Sequence, residues 1–65
     1  MKLKTFLKLC NCNEIITITK DDKNIAEEVT IYQYLNNKKF IDGKIINWEL
    51  FVINYDCPVI FINIE

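Results

Sequence analysis

Three cysteines, Cys10, Cys12 and Cys57, and two adjacent carboxylates, Asp21 and Asp22, are the residues of this 65-residue chain best equipped for chemistry. The cysteines stand at C-x-C…C spacing. A four-thiolate zinc site needs one more ligand, and the chain has no histidine to supply it. Serine and arginine are also absent. That removes Ser-His and Cys-His nucleophile pairs, bidentate guanidinium clamps on phosphate, and arginine readout of guanine. A single glycine, Gly43, cannot build a glycine-rich phosphate loop. Any catalysis would have to run on Asp, Glu, Lys, Tyr, Cys and Thr, so the expectation is a protein that is not an enzyme, with no cofactor and no metal. The cysteines read as small buried or half-buried residues in a reducing cytosol. A Cys12–Cys57 or Cys10–Cys57 disulfide would require an oxidising compartment. Asp21-Asp22 reads as hairpin-turn chemistry more readily than as a divalent-ion site.

The chain that must position these residues is short. It makes one domain, residues 1–65, and a chain of this size hides only about 60% of its unfolded surface. An apolar fraction of 51% still suffices for a core and argues against disorder. The formal net charge is −1, with nine carboxylates nearly balanced by eight lysines, so neither a nucleic-acid binder nor an acidic mimic of nucleic acid is supported. The three lysines near the start are not followed by a long apolar signal region. Asn54 to Pro58 interrupts the longest apolar run, which falls short of the ~20 residues of a spanning helix. A cytoplasmic protein without direct membrane or nucleic-acid contact is expected.

Periodicity gives the elements. Leu3, Phe6, Leu7 and Cys10 fall at i, i+3, i+4, i+7, an amphipathic helix over 2–10 that Asn11 and Asn13 end. A β-branched run, EIITITK over 14–20, reads as a strand, and Asp21-Asp22-Lys23-Asn24 as its turn into a second strand, NIAEE over 24–28. Thr30, with Gln33 three residues on, forms a capping box for a second helix, 30–38. Phe40 and Ile41 are expected to fold back over the core, and Asp42-Gly43 to turn. The third strand spans 44–54, where the run Leu50-Phe51-Val52-Ile53 breaks the alternation, so a bulge or a doubly covered strand is expected there. Tyr55-Asp56-Cys57-Pro58 turns into a fourth strand, 59–65. The fold class is therefore α+β, in the order α-β-β-α-β-β. Two hairpins, each preceded by a helix, predict a four-stranded antiparallel sheet with two short helices on one face.

Alternation assigns Ile16, Ile18, Ile46, Trp48, Leu50, Ile60, Ile62 and Ile64 to the helix-covered face, where they meet Leu3, Phe6, Leu7, Ile31, Tyr34 and Leu35. The other face carries Ile15, Thr17, Thr19, Ile45, Asn47, Glu49, Val59, Phe61 and Asn63. It is mixed, and an antiparallel sheet can leave such a face in water. Val59 and Phe61, with Phe51 or Ile53 beyond the suspected bulge, nevertheless suggest an exposed apolar patch of the kind that marks interaction surfaces. Tyr32, off the buried stripe of the second helix, and Tyr55, in a turn, are accessible residues of an interface-anchoring type. The candidate partner-binding set is thus Phe51, Val59, Phe61, Tyr55, Tyr32 and Glu49.

Met1-Lys2-Leu3-Lys4-Thr5-Phe6-Leu7-Lys8-Leu9 at the start, Lys23-Asn24-Ile25-Ala26-Glu27 in the hairpin and Val29-Thr30-Ile31-Tyr32-Gln33-Tyr34-Leu35 at the second helix are structural motifs. With them the chain resembles a loose group of very short proteins encoded by phages and prophages of low-GC Gram-positive bacteria. Ile, Asn and Lys, with A/T-rich codons, make up 28 of the 65 residues, as an AT-rich genome would give. The chain departs from the group at Asp22, where the hairpin usually carries glycine. The resemblance implies a small protein that binds and inhibits a bacterial host protein, such as a CRISPR-Cas or other defence nuclease. A homo-oligomeric structural or accessory phage protein and a binder of small ligands or signalling nucleotides are the alternatives.

Overall fold

The computed structural model describes residues 1–37, 41–54 and 57–65, with the backbone alone for Ile53, Asn54 and Cys57. The elements are α1 (Leu3–Leu9), β1 (Ile15–Lys20), β2 (Lys23–Thr30), α2 (Ile31–Leu35), β3 (Ile45–Asn54) and β4 (Cys57–Ile64). The order α-β-β-α-β-β and the α+β class follow the expectation. Lys38, Lys39 and Phe40, and Tyr55 with Asp56, lie outside the described residues. Cys57 and Pro58, predicted as turn, belong to β4.

Both helix starts find partners for backbone N–H groups that a helix cannot bond internally. Thr30 and Gln33 make the capping box in full: the Gln33 N–H donates to Thr30 Oγ1, and the Thr30 N–H to Gln33 Oε1, each at 3.1 Å. The next donors of α2 reach back along the chain, Ile31 N–H to the Glu14 carbonyl and Tyr32 N–H to that of Cys12, both at 3.0 Å. At α1 the Leu3 N–H donates to the Gly43 carbonyl (2.7 Å) and the Lys4 N–H to Asp42 Oδ1 (3.0 Å). A carboxylate there also suits the positive end of the helix dipole. Gly43 is required by proximity, since a Cβ at this position would sit 2.8 Å from the Glu65 carbonyl oxygen.

A two-residue turn joins β1 to β2. Asp21 (φ 52°) and Asp22 (φ 62°) both occupy the left-handed region, as a type I′ hairpin demands and as Asp tolerates. Lys23, predicted as turn, already pairs within β2, which also extends past the predicted Glu28 to Thr30.

The sheet order is β2-β1-β4-β3. Within each hairpin the pairing is antiparallel, but β1 and β4 run parallel from Ile15↔Val59 to Lys20↔Ile64. The sheet is therefore mixed, not antiparallel throughout. The physical reason is the link from Thr30 to Ile45. It contains a helix and is long enough to act as a crossover, so it returns the chain to the far edge and β3 sets out in the direction of β2. β1 and β4, which carry all the fully buried strand residues among those described, take the two central places. Each edge strand is two residues longer than its partner: β2 has 8 residues against 6 in β1, and β3 has 10 against 8 in β4. The surplus is absorbed in two register shifts per hairpin. In β3 these fall between Ile45 and Asn47 and between Val52 and Asn54. The second lies beside the apolar run where the alternation breaks.

The core lies between the helices and one sheet face. It joins Leu3, Leu7, Ile31 and Tyr34 to Ile16, Ile18, Ile60, Ile62 and Ile64, with Phe6, Leu35 and Ile45 packed around them. The predicted core members Ile46, Trp48 and Leu50 are exposed instead. Ile46 is the extra residue of the first register shift, and the shift hands its inward place to Ile45. Trp48 and Leu50 do face the helix side, opposite Ile62 and Ile60. The two short helices do not reach that far across the sheet, so Trp48 keeps 52% of its surface, and its ring meets Phe6 of α1 with centroids 5.6 Å apart. Cys10 is half-buried, with its thiol donating to the Phe6 carbonyl at 3.4 Å, whereas Cys12 is exposed, contrary to the buried or half-buried place predicted for it. Both are free thiols. Among the described residues no helix is long and apolar enough to cross a membrane.

Candidate functional site

Side chains alternate across a strand, so the ladders place Ile15, Thr17 and Thr19 of β1, Val59, Phe61 and Asn63 of β4, and Asn47, Glu49 and Phe51 of β3 together on the face away from the helices. None of these nine is basic. A groove of about 470 Å³ opens on this face, lined by Thr19, Asn47, Glu49, Phe51, Phe61, the edge of Ile62 and Asn63. Asp22, on the β1–β2 turn, also lines it.

Two contacts fix the floor and wall. Thr19 Oγ1 donates to Asn63 Oδ1 across the parallel β1–β4 pair at 3.1 Å, which leaves the Asn63 amide NH₂ available to a ligand. Phe51 and Phe61 meet edge to face, centroids 5.1 Å apart at 83°. This is the preferred aromatic geometry, and it holds both rings in place. Thr17 lies beneath the surface at 3% exposure, and its Oγ1 accepts the Glu28 N–H at 3.1 Å where β2 bulges through a left-handed Glu28 (φ 49°).

Of the residues predicted for partner binding, the structure brings Phe51, Phe61 and Glu49 together. Val59 shares their face but is 3% exposed, flanked by Ile15 on β1 and Phe51 on β3, so it supports the floor and offers no surface. Its central-strand place, invisible while the strand order is unknown, is the reason. Tyr32 is 62% exposed but stands on α2, behind the opposite face. Tyr55 lies outside the described residues. Thr19, Asn47 and Asn63 were placed on this face by alternation without a role. Asp22 was predicted as turn only, and no pattern in the sequence shows that the turn tip reaches the groove.

The arrangement can seat a cationic group with an apolar stem. Glu49 and Asp22 supply charge, the Phe51–Phe61 pair an aromatic wall, and Asn47, Asn63 and Thr19 directional hydrogen bonds. Among the described residues no cluster of three or more Cys, Asp or Glu could hold a metal ion. A second hollow of about 510 Å³, between β2 and α2, is lined mainly by Ile25, Ala26, Val29 and Ile41. Tyr34, at its edge, is engaged, its hydroxyl donating to the Ile41 carbonyl at 2.6 Å. Comparison of the chain with protein-family models, with curated proteins and with solved structures finds no match in any of the three.

Proposed function

We propose that this protein is a non-catalytic binding module whose open sheet face receives a basic side chain from a protein partner. The observation that carries this reading is the groove itself: two carboxylates and a fixed aromatic pair on a face where the ladders place no lysine between Asn47 and Phe51 or between Val59 and Asn63. A buried ion pair with an Arg or Lys anchor would give orientation and specificity. An acidic groove repels phosphate, so a protein partner is favoured over nucleic acid or a nucleotide.

The resemblance to small phage proteins supports a bacterial host protein as the partner. A defence nuclease fits, because proteins that handle nucleic acid present basic surfaces that an acidic, aromatic groove could occupy. The site of action is then the reducing bacterial cytoplasm, where Cys10 and Cys12 would remain thiols.

The test is capture from a lysate of a low-GC Gram-positive host, followed by titration of the captured protein's activity. Wild type is expected to retain a specific protein and suppress its activity at equimolar addition. Phe61→Asp and Glu49→Lys, both still folded by circular dichroism, are expected to lose capture. Equal capture by all three proteins, or none by wild type, contradicts the proposal.

A further inference from the structure

The two free edges of the sheet are built differently. On β2 the register shifts fall mid-strand, so no more than two consecutive residues stay in step with β1, and Lys23, Glu27 and Glu28 stud the edge. Bulges and charges of this kind keep an edge from pairing with another chain. On β3 the shifts fall near the ends and leave Asn47 to Val52 regular, six residues in unbroken pairing with Asn63 to Pro58. That stretch carries no lysine and no proline, and Trp48, Leu50, Phe51 and Val52 are all exposed. Only the start of this edge is occupied: Lys2 bridges Lys44, and the Ile45 N–H donates to the Met1 carbonyl at 2.9 Å. Beyond Ile45 the outer edge of β3 meets no strand among the described residues.

We infer that β3 pairs antiparallel with β3 of a second copy, making a two-fold dimer with one continuous eight-stranded sheet. One register makes the strand self-complementary about Leu50. With Leu50 on the axis, Leu50 faces its own counterpart, Trp48 faces the second copy's Val52, and Glu49 faces the second copy's Phe51. Every pair then joins residues of the same sheet face. The half-covered apolar row Trp48-Leu50-Val52 continues into its counterpart, with Phe6 of each copy at its border. A one-residue slip would oppose helix-side to open-face residues, which the pleat forbids. A slip that puts Glu49 on the axis sets two carboxylates directly opposite each other, which is unfavourable. A net charge of −1 per chain offers little resistance to self-association. Trp48, Leu50 and Val52 of both copies lose solvent contact together with the paired backbones, which makes a small interface at the low end of the range for specific association, below about 1,200 Å². The dimer also sets the two open-face grooves side by side, Glu49 of one next to Phe51 of the other.

The inference stands on the β3 edge and does not depend on the proposed function, which Phe61→Asp on β4 tests apart from that edge. Sedimentation equilibrium of the intact chain from micromolar to millimolar concentration is expected to show a transition to twice the monomer mass, with Trp48 emission moving to shorter wavelength. Leu50→Lys and Leu50→Glu, each half-exposed in the monomer and so compatible with folding, are expected to remain monomeric alone. An equal mixture of the two is expected to recover the doubled mass, because the axis brings Lys against Glu. Wild type monomeric throughout, as for an edge awaiting a foreign strand, overturns the inference. So does a dimeric Leu50→Lys, or a mixture that stays monomeric.

Discussion

Single residues hold this small fold at its joints. Thr30 ends β2, caps α2 through two reciprocal bonds and sits one residue from the Ile31–Glu14 tie. Thr30→Ala should cost about 1 kcal/mol of unfolding free energy, measured by urea denaturation, and Thr30→Ser should restore most of it. The capping box was legible from residue types at fixed spacing. Other joints were not: that Asp42 would cap α1, or that Gly43 would lie against Glu65, depends on contacts between distant parts of the chain. The cysteines differ in the same way. Burial, and then the nearby Glu14 carboxylate, push the Cys10 thiol above its ordinary value, while Cys12 stands in solvent. Iodoacetamide at neutral pH should therefore label Cys12 well before Cys10, as peptide mass spectrometry would read. Cys10 labelling should gain disproportionately as pH rises through the thiol range. Equal rates would mean that α1 does not shield Cys10.

At the scale of elements, hydrophobic period and turn chemistry give all six elements with bounds off by one to three residues, the largest miss being the end of α2 at Leu35 against an expected 38, because these signals are local. Strand order is not local. Two hairpins can join through β1·β4 or β2·β3, and residue alternation reads the same in both cases. The sequence therefore supports the element order but not the parallel pair, and it cannot say that Val59 is central and hidden while Trp48 is near an edge and half-open. The first register shift in β3 is equally silent, since Ile45-Ile46 offers two isoleucines for one inward place. Amide hydrogen exchange tests the order directly. In the monomeric Leu50→Lys protein, β1 and β4 should be the slowest strands and β2 and β3 the fastest, because edge strands open first. Slow exchange in β2 and β3 with fast exchange in β1 and β4 would restore the antiparallel meander.

For the whole molecule, a core on one face accounts for the buried isoleucines but not for the other face. Thr19, Asn63, Glu49 and the Phe51–Phe61 pair hold a defined groove that stability alone does not require. The aromatic half of that site was visible as apolar residues out of place in an otherwise mixed face. Its polar half was not, because Thr, Asn and Glu on a solvent face are unremarkable until their mutual geometry is known. The chain contains no His, Ser or Arg, and the use proposed for this face is binding. The most direct test compares two aromatic positions on opposite sides of the molecule. With the captured partner in isothermal titration calorimetry, Tyr32→Asp should bind as wild type does, and Phe61→Asp should weaken binding at least tenfold, about 1.4 kcal/mol. The reverse, with Tyr32→Asp losing affinity and Phe61→Asp keeping it, would contradict a functional open sheet face.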